Sequence, residues 1–222
     1  MSFKIDLKIF LFLILFYFTN QMETYILILI FAFIHEIGHL VCGLALGMKP
    51  RKLEIKPYGV SISFKIVPKD YNNKILNGNL LELKKIIVAL AGPITNLIII
   101  LITLNLNNLN VFYGLQIVYS NLLLFIFNLL PIYPLDGGRI LKGILHMILG
   151  KRKSEIYTNY ISFFLLMILT LISSILIFYI KNIAIFIAII FLWVIYIIED
   201  LKFRKRNKIY KLVEKTIEIN AN

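Results

Sequence analysis

Five long apolar runs divide the chain: Tyr25–Gly47, Ile86–Asn105, Val111–Leu130, Tyr160–Ile180 and Ile183–Ile198. A helix rises about 1.5 Å per residue and needs about 20 apolar residues to cross hydrocarbon, so each run predicts a spanning helix. A weaker run, Leu7–Thr19, follows Lys4, Asp6 and Lys8. No small-residue cleavage site comes after it, only Thr19-Asn20-Gln21-Met22, so it reads as a retained anchor rather than a signal peptide. That makes six spans.

Between the second and third spans the periodicity changes. Leu53–Lys56 and Val60–Ile66 alternate apolar and polar around Pro57-Tyr58-Gly59, which predicts a β-hairpin at the membrane surface. Pro68–Leu80, with Asn72, Asn73, Asn77, Gly78 and Asn79, reads as a loop. Pro131 and Pro134 interrupt the fourth helix, and helical spacing resumes over Arg139–Leu149. The expected fold class is an all-α polytopic membrane protein with six transmembrane helices and one small surface hairpin. Residues 1–200 form the six-span domain and 201–222 a basic cytosolic tail; no internal repeat or second domain stands out.

Composition agrees. The 222 residues are 59% hydrophobic and 16% charged, against about 25% charged in soluble domains. Mean hydropathy is +0.84. These values exclude a cytosolic enzyme, a disordered chain and a disulfide scaffold; the single Cys42 permits no internal disulfide. The 24 Lys and Arg against 12 Asp and Glu would suggest nucleic acid in a soluble domain, but their distribution points elsewhere. With the N terminus in the cytosol, the cytosolic segments are the N-terminal stub, residues 48–85, residues 131–159 and the tail from Glu199. They hold 23 of the 24 basic residues, and only Lys181 falls outside. Positive charge favours the cytosolic side, so the asymmetry predicts a multi-pass cell-membrane protein with both termini in the cytosol and no nucleic-acid partner. The run Lys202–Lys208 reads as an anionic-lipid clamp against the bilayer.

Against this background the second span carries His35-Glu36-Ile37-Gly38-His39. Ionisable groups in a span cost roughly 2.5–3.5 kcal/mol each on insertion scales, so three together need a reason. Positions four apart lie about 40° apart around a helix, so the two imidazoles share a face and can chelate one ion. Zinc suits two imidazoles and a carboxylate, with the fourth position left for water. Glu36, about 100° from His35, is placed as the catalytic base that takes a proton from water and returns it to the leaving amine.

The third ligand is Asp136, in Asn128-Leu-Leu-Pro131-Ile-Tyr-Pro134-Leu-Asp136-Gly137-Gly138. A broken helix at membrane depth is tolerated where it lines a cavity, and Gly137 and Gly138 permit backbone close to the metal. The bland alternative is an N-cap aspartate paired with Arg139. Cys42, on the same face as the histidines, is a rival ligand, and His146 a weaker one. Glu23, Glu199 and Asp200 read as interfacial charges. In the third span, Gly92-Pro93-Ile94-Thr95-Asn96 suggests close packing; Asn96 either bonds across the bundle or stabilises an oxyanion or positions substrate. Asn128 is comparable and precedes the Asp136 segment.

His35-Glu36-x-x-His39, Gly92-Pro93-x-x-Asn96 and Asn128-x-x-Pro131-x-x-Pro134-x-Asp136-Gly137-Gly138 together resemble the site-2 protease family of intramembrane zinc metalloproteases. Their order and spacing are most similar to its stage IV sporulation protein FB branch. The resemblance implies a six-span core, one zinc ion held by His35, His39 and Asp136, Glu36 as base, and a site opening to the cytosol. It implies that Asn128, Pro131 and Pro134 shape the approach to the metal, and that residues 53–66 help admit an extended substrate. It also implies a protein substrate with a membrane-associated segment, of the pro-sigma-factor kind, and an inhibitory membrane-protein partner. That branch carries a C-terminal CBS domain, whereas only a short basic tail follows the last span here. Two other functions are weighed: a general protease of membrane proteins and signal-peptide remnants, and a divalent-metal transporter. Transporters spread ligands along a path, often with inverted repeats, and neither is visible.

Overall fold

The structure is a computed structural model that describes residues 2–5, 22–56, 59–65, 74–106, 111–180 and 184–221. The expected first span Leu7–Thr19, the turn residues Pro57 and Tyr58, and Lys181 lie outside these. In chain order the elements are β1 (Ser2–Ile5), α1 (Met22–Ala45), β2 (Lys49–Lys56), β3 (Gly59–Lys65), α2 (Lys74–Asn105), α3 (Val111–Leu129), α4 (Asp136–Leu149), α5 (Lys151–Ile180) and α6 (Ala184–Ala221).

Three of these helices are long and apolar enough to cross a membrane, over Tyr25–Ala45, Leu80–Asn105 and Lys151–Ile175; Tyr113–Leu129 is a shorter apolar helix. Their surfaces are inverted relative to a soluble bundle. On α2 the exposed side carries Ile98, Leu101, Ile102 and Leu104, while Asn96 and Thr103 are buried. On α5 the buried positions include Ser154, Thr158, Ser162 and Ser173, and Phe164 and Leu171 face outward. Lipid imposes this arrangement, since apolar groups gain nothing by leaving it whereas hydroxyls and amides must find partners inside. Thr103 Oγ1, Ser162 Oγ and Ser173 Oγ donate to carbonyls of their own helices at 2.7, 2.7 and 2.9 Å.

Four expectations need correction. The chain is not all-α: β1, β2 and β3 form a three-stranded sheet in that order, with β1 parallel and β2 antiparallel to its neighbour β3. The first residues thus pair with β2 instead of serving only as a stub. Residues 74–80, expected to be loop, are helical and lengthen α2, because once a helix exists each added residue gains a backbone hydrogen bond without renewed nucleation. Helix α5 begins at Lys151, not Tyr160.

Helix α1 packs on α2, α3 and β3; α2 packs on α3 and α4; α5 bridges α4 and α6. One apolar core joins Ile132, Leu166, Leu192 and Tyr196, so the segment before α4 is held by α5 and α6. Another joins Phe31, Ala32 and Leu124, fixing α1 against α3. Small residues set the α1–α2 spacing: a Cβ on Gly38 would collide with the Thr95 hydroxyl.

Candidate metal centre

Helix α1 carries His35 and His39 on the face toward α2, where they are 4% and 3% exposed. Helix α2 meets them with a stripe at the same four-residue spacing, Val88, Gly92 and Asn96. His39 Nδ1 donates to the Val88 carbonyl at 2.6 Å, and the Asn96 amide lies 3.1 Å from His35 Nδ1. Gly92 sits between, and a Cβ there would collide with the Nε2 atoms of both histidines.

These contacts set the tautomers. A carbonyl can only accept, so His39 Nδ1 carries the proton and Nε2 presents a lone pair. Asn96 Oδ1 is buried without a partner while its amide nitrogen faces His35 Nδ1. The two ends of an amide are interchangeable in shape, and turning the group over lets Oδ1 accept from Nδ1–H. That assignment leaves the amide NH2 in place of the oxygen as the unpartnered end, and frees the Nε2 lone pair of His35 as well.

Both lone pairs converge on Asp136, which is 4% exposed. Its Oδ2 lies 3.0 Å from His35 Nε2 and 3.1 Å from His39 Nε2, and the two Nε2 atoms are 3.2 Å apart. The rings meet edge to face, at 89° with centroids 4.8 Å apart. Three lone-pair atoms at such separations repel unless a cation stands among them. Tetrahedral zinc, with bonds of about 2.0–2.2 Å, places its donors about 3.3–3.5 Å apart, so the triangle is within a few tenths of an ångström of a zinc site. His35, His39 and Asp136 thus form a buried group that can hold a metal ion.

Asp136 reaches this point because α3 ends and α4 begins almost against it. Ile132 N–H donates to Leu130 at 2.7 Å, Leu135 N–H to Ile132 at 2.8 Å, and Tyr133 N–H to Ser162 Oγ at 2.9 Å. Pro131 and Pro134 are half-buried on either side of Ile132, and the Tyr133–Pro134 bond is cis. A Cβ on Gly137 would strike the carbonyls of Leu129 and Leu130, and one on Gly138 the backbone of Ile132 and Tyr133. The two glycines therefore let α4 start against the end of α3. Gly92 performs the close approach beside the imidazoles. Asp136 is not an N-cap, since Leu135 holds that position without a side-chain bond. Arg139 is nonetheless its partner, 3.3 Å from Oδ1, the oxygen turned away from the histidines.

The remaining candidates separate. Glu36 is half-buried on α1, next in sequence to His35. Cys42 Sγ lies 3.8 Å from the Ile87 carbonyl and does not join the group. His146 Nδ1 pairs with Glu82 at 3.2 Å instead. Glu199 and Asp200 pair with Lys202 and Arg204. Asn128 is half-buried in the last turn of α3. Val88 was not singled out by sequence reasoning, and Gly92 only for packing and within the Gly92-Pro93-x-x-Asn96 motif, although their spacing with Asn96 carries the signal.

The family description "Peptidase family M50" matches residues 103–172, the stretch that contains Asp136. A zinc metalloprotease of Methanocaldococcus jannaschii is 31% identical over 138 residues, covering 59% of this chain and 36% of that protein. Stage IV sporulation protein FB of Bacillus subtilis is 26% identical over 127 residues, covering 55% of this chain and 40% of that protein. The chain thus spans less than half the length of these relatives. The solved site-2 protease from Methanocaldococcus jannaschii superposes with a TM-score of 0.61 at 25% identity, over 85% of this chain and 86% of that one. In sequence around Asp136 and in fold over most of its length, the chain is thus similar to peptidase family M50 and to a site-2 protease.

Proposed function

We propose that the chain is an intramembrane zinc metalloendopeptidase in which His35, His39 and Asp136 hold one zinc ion and Glu36 is the catalytic base. The observation that carries this is the triangle of Nε2, Nε2 and Oδ2 atoms at 3.0–3.2 Å, buried beneath the α1–α2 contact. A zinc ion there supplies Lewis acidity toward water and the scissile carbonyl. Glu36 accepts the proton of the attacking water and delivers it to the departing amine. Val88 and Asn96 hold the imidazoles in the tautomers that leave Nε2 free, and Arg139 holds the far oxygen of Asp136. Asn128, Pro131, Pro134 and Gly137 fix the turn that presents Asp136. The sheet beside α1 helps receive an extended segment of the substrate.

The substrate in this reading is a membrane-associated regulatory protein, of the pro-sigma-factor kind suggested by similarity to the sporulation protein, with an inhibitory membrane protein as a second partner. The chain crosses the membrane several times with both termini and the site facing the cytosol, as the basic residues of residues 48–85 and 131–159 favour. The convergence of all three donors on one point, rather than along a path, favours hydrolysis over metal transport.

The test uses purified full-length protein in liposomes with a single-span reporter helix. Chelation should reduce cleavage to background, and about one equivalent of zinc per chain should restore it. Cleavage indifferent to chelation, or zinc uptake without cleavage, would remove the reading. The tautomer argument adds a second expectation. Asn96→Leu, which keeps the volume and removes the hydrogen bond, should weaken zinc binding about 10–100-fold in chelator competition.

A further inference from the structure

A cavity of about 410 Å³ runs from His39 and Val88 out between α2, α4 and the start of α5. That volume lies within the range of sites that enclose a small ligand or a few residues of chain. Met48 and Phe64 give it an apolar side. The rest of the wall is strongly charged: Lys85, Arg139, Lys142 and Lys151 face it together with only two carboxylates, Glu82 and Glu155.

Both carboxylates are already satisfied. Glu82 pairs with Lys85 at 2.6 Å and with His146 at 3.2 Å. Glu155 pairs with Lys142 at 3.3 Å and with Arg206 at 3.6 Å. Lys151, at the start of α5, forms no ion pair among the described residues. With Arg139 held by Asp136 at 3.3 Å, the wall keeps one unpaired cation, the exposed Lys151, beside a concave surface where its field is less diluted by solvent than on a flat one.

We infer that this cavity is a specificity pocket for an acidic side chain of the substrate, next to the bond to be cut. The inference rests on the protease reading, because the cavity ends at His39. A peptide carboxylate fits better than a lipid phosphate, since whatever fills the cavity must also present a backbone to the histidines and pack on Met48 and Phe64. Lys151 is the residue left to meet it, with Lys142 shared from Glu155.

The test is binding of three acetylated, amidated octapeptides that differ only in two central residues: Glu-Glu, Gln-Gln or Lys-Lys. They are measured by fluorescence anisotropy on the zinc-loaded full chain carrying Glu36→Gln to stop turnover. The Glu-Glu peptide should bind about fivefold more tightly than Gln-Gln, with Lys-Lys weakest, and the order should fade as salt rises from about 0.05 to 0.5 M. Adding Lys151→Glu should bring the three within about twofold. Equal binding of all three, no binding of any, or a preference untouched by Lys151→Glu would overturn the inference. So would displacement of the Glu-Glu peptide by glycerol phosphate at concentrations below the peptide's own Kd, which would assign the pocket to a lipid headgroup. Wild type that fails to cleave the neutral reporter sinks the protease reading. Cleavage accompanied by charge-blind binding sinks this inference alone.

Discussion

Glu36→Gln should lower the rate of reporter cleavage about 10²–10⁴-fold while leaving the zinc content at about one ion per chain. The amide is nearly isosteric with the carboxylate, so the helix and the His35–His39 spacing remain, but it cannot take a proton from water. The triangle of donor atoms does not include Glu36, which is why the ion should stay. Asp136→Ala is the contrasting variant. It removes the only carboxylate of the triangle and leaves Arg139 without its 3.3 Å partner, so zinc and cleavage should be lost together. Cleavage rate and metal stoichiometry, measured on the same preparations, distinguish a base from a ligand. Should Glu36→Gln cleave like wild type, the assignment of the base fails; should it lose zinc as Asp136→Ala does, Glu36 is a ligand.

Gly92→Ala should be nearly as damaging, although it adds one methyl group and touches no ionisable residue. The new Cβ would lie against Nε2 of His35 and of His39. Neither ring can retreat freely, because His39 is anchored at 2.6 Å to the Val88 carbonyl and His35 at 3.1 Å to Asn96. The helices must separate or the rings must turn, and either breaks a triangle whose tolerance is a few tenths of an ångström. We expect zinc affinity to fall at least about 100-fold, read by chelator competition, with the helical circular-dichroism signal retained. Gly43→Ala is the control. Its Cβ would meet the far end of the Phe64 ring, a side chain able to swing aside, so zinc affinity should stay within about threefold of wild type. Equal losses from the two substitutions would mean that Gly92 acts through general packing rather than through the histidines.

The alternation over 53–66 predicted strands where strands occur, yet the parallel partner Ser2–Ile5 was invisible. Four residues carry too little periodicity to signal pairing with a segment some fifty positions away. The Asn- and Gly-containing stretch before Leu80 was misread for the opposite reason. Its local preference for turns is small beside the continuity of a helix already fixed by its membrane run.

What the sequence alone determined is whatever depends on neighbours along the chain. Run length specifies helices long enough for a bilayer, and four-residue spacing puts His35 and His39 on one face. Pro131, Pro134 and the glycine pair mark where a helix stops and another starts. The sequence also singled out Asp136 as the candidate third donor, but tertiary structure alone decided that its Oδ2 comes within 3.0 Å of His35 across 101 residues, that Arg139 takes its outer oxygen, and that Cys42 and His146 are turned to other partners. It also decided that Val88, Gly92 and Asn96 form the wall behind the imidazoles. Those facts depend on the register between α1, α2 and α4, which is set by packing of small residues and cores across helices rather than by any pattern within one of them.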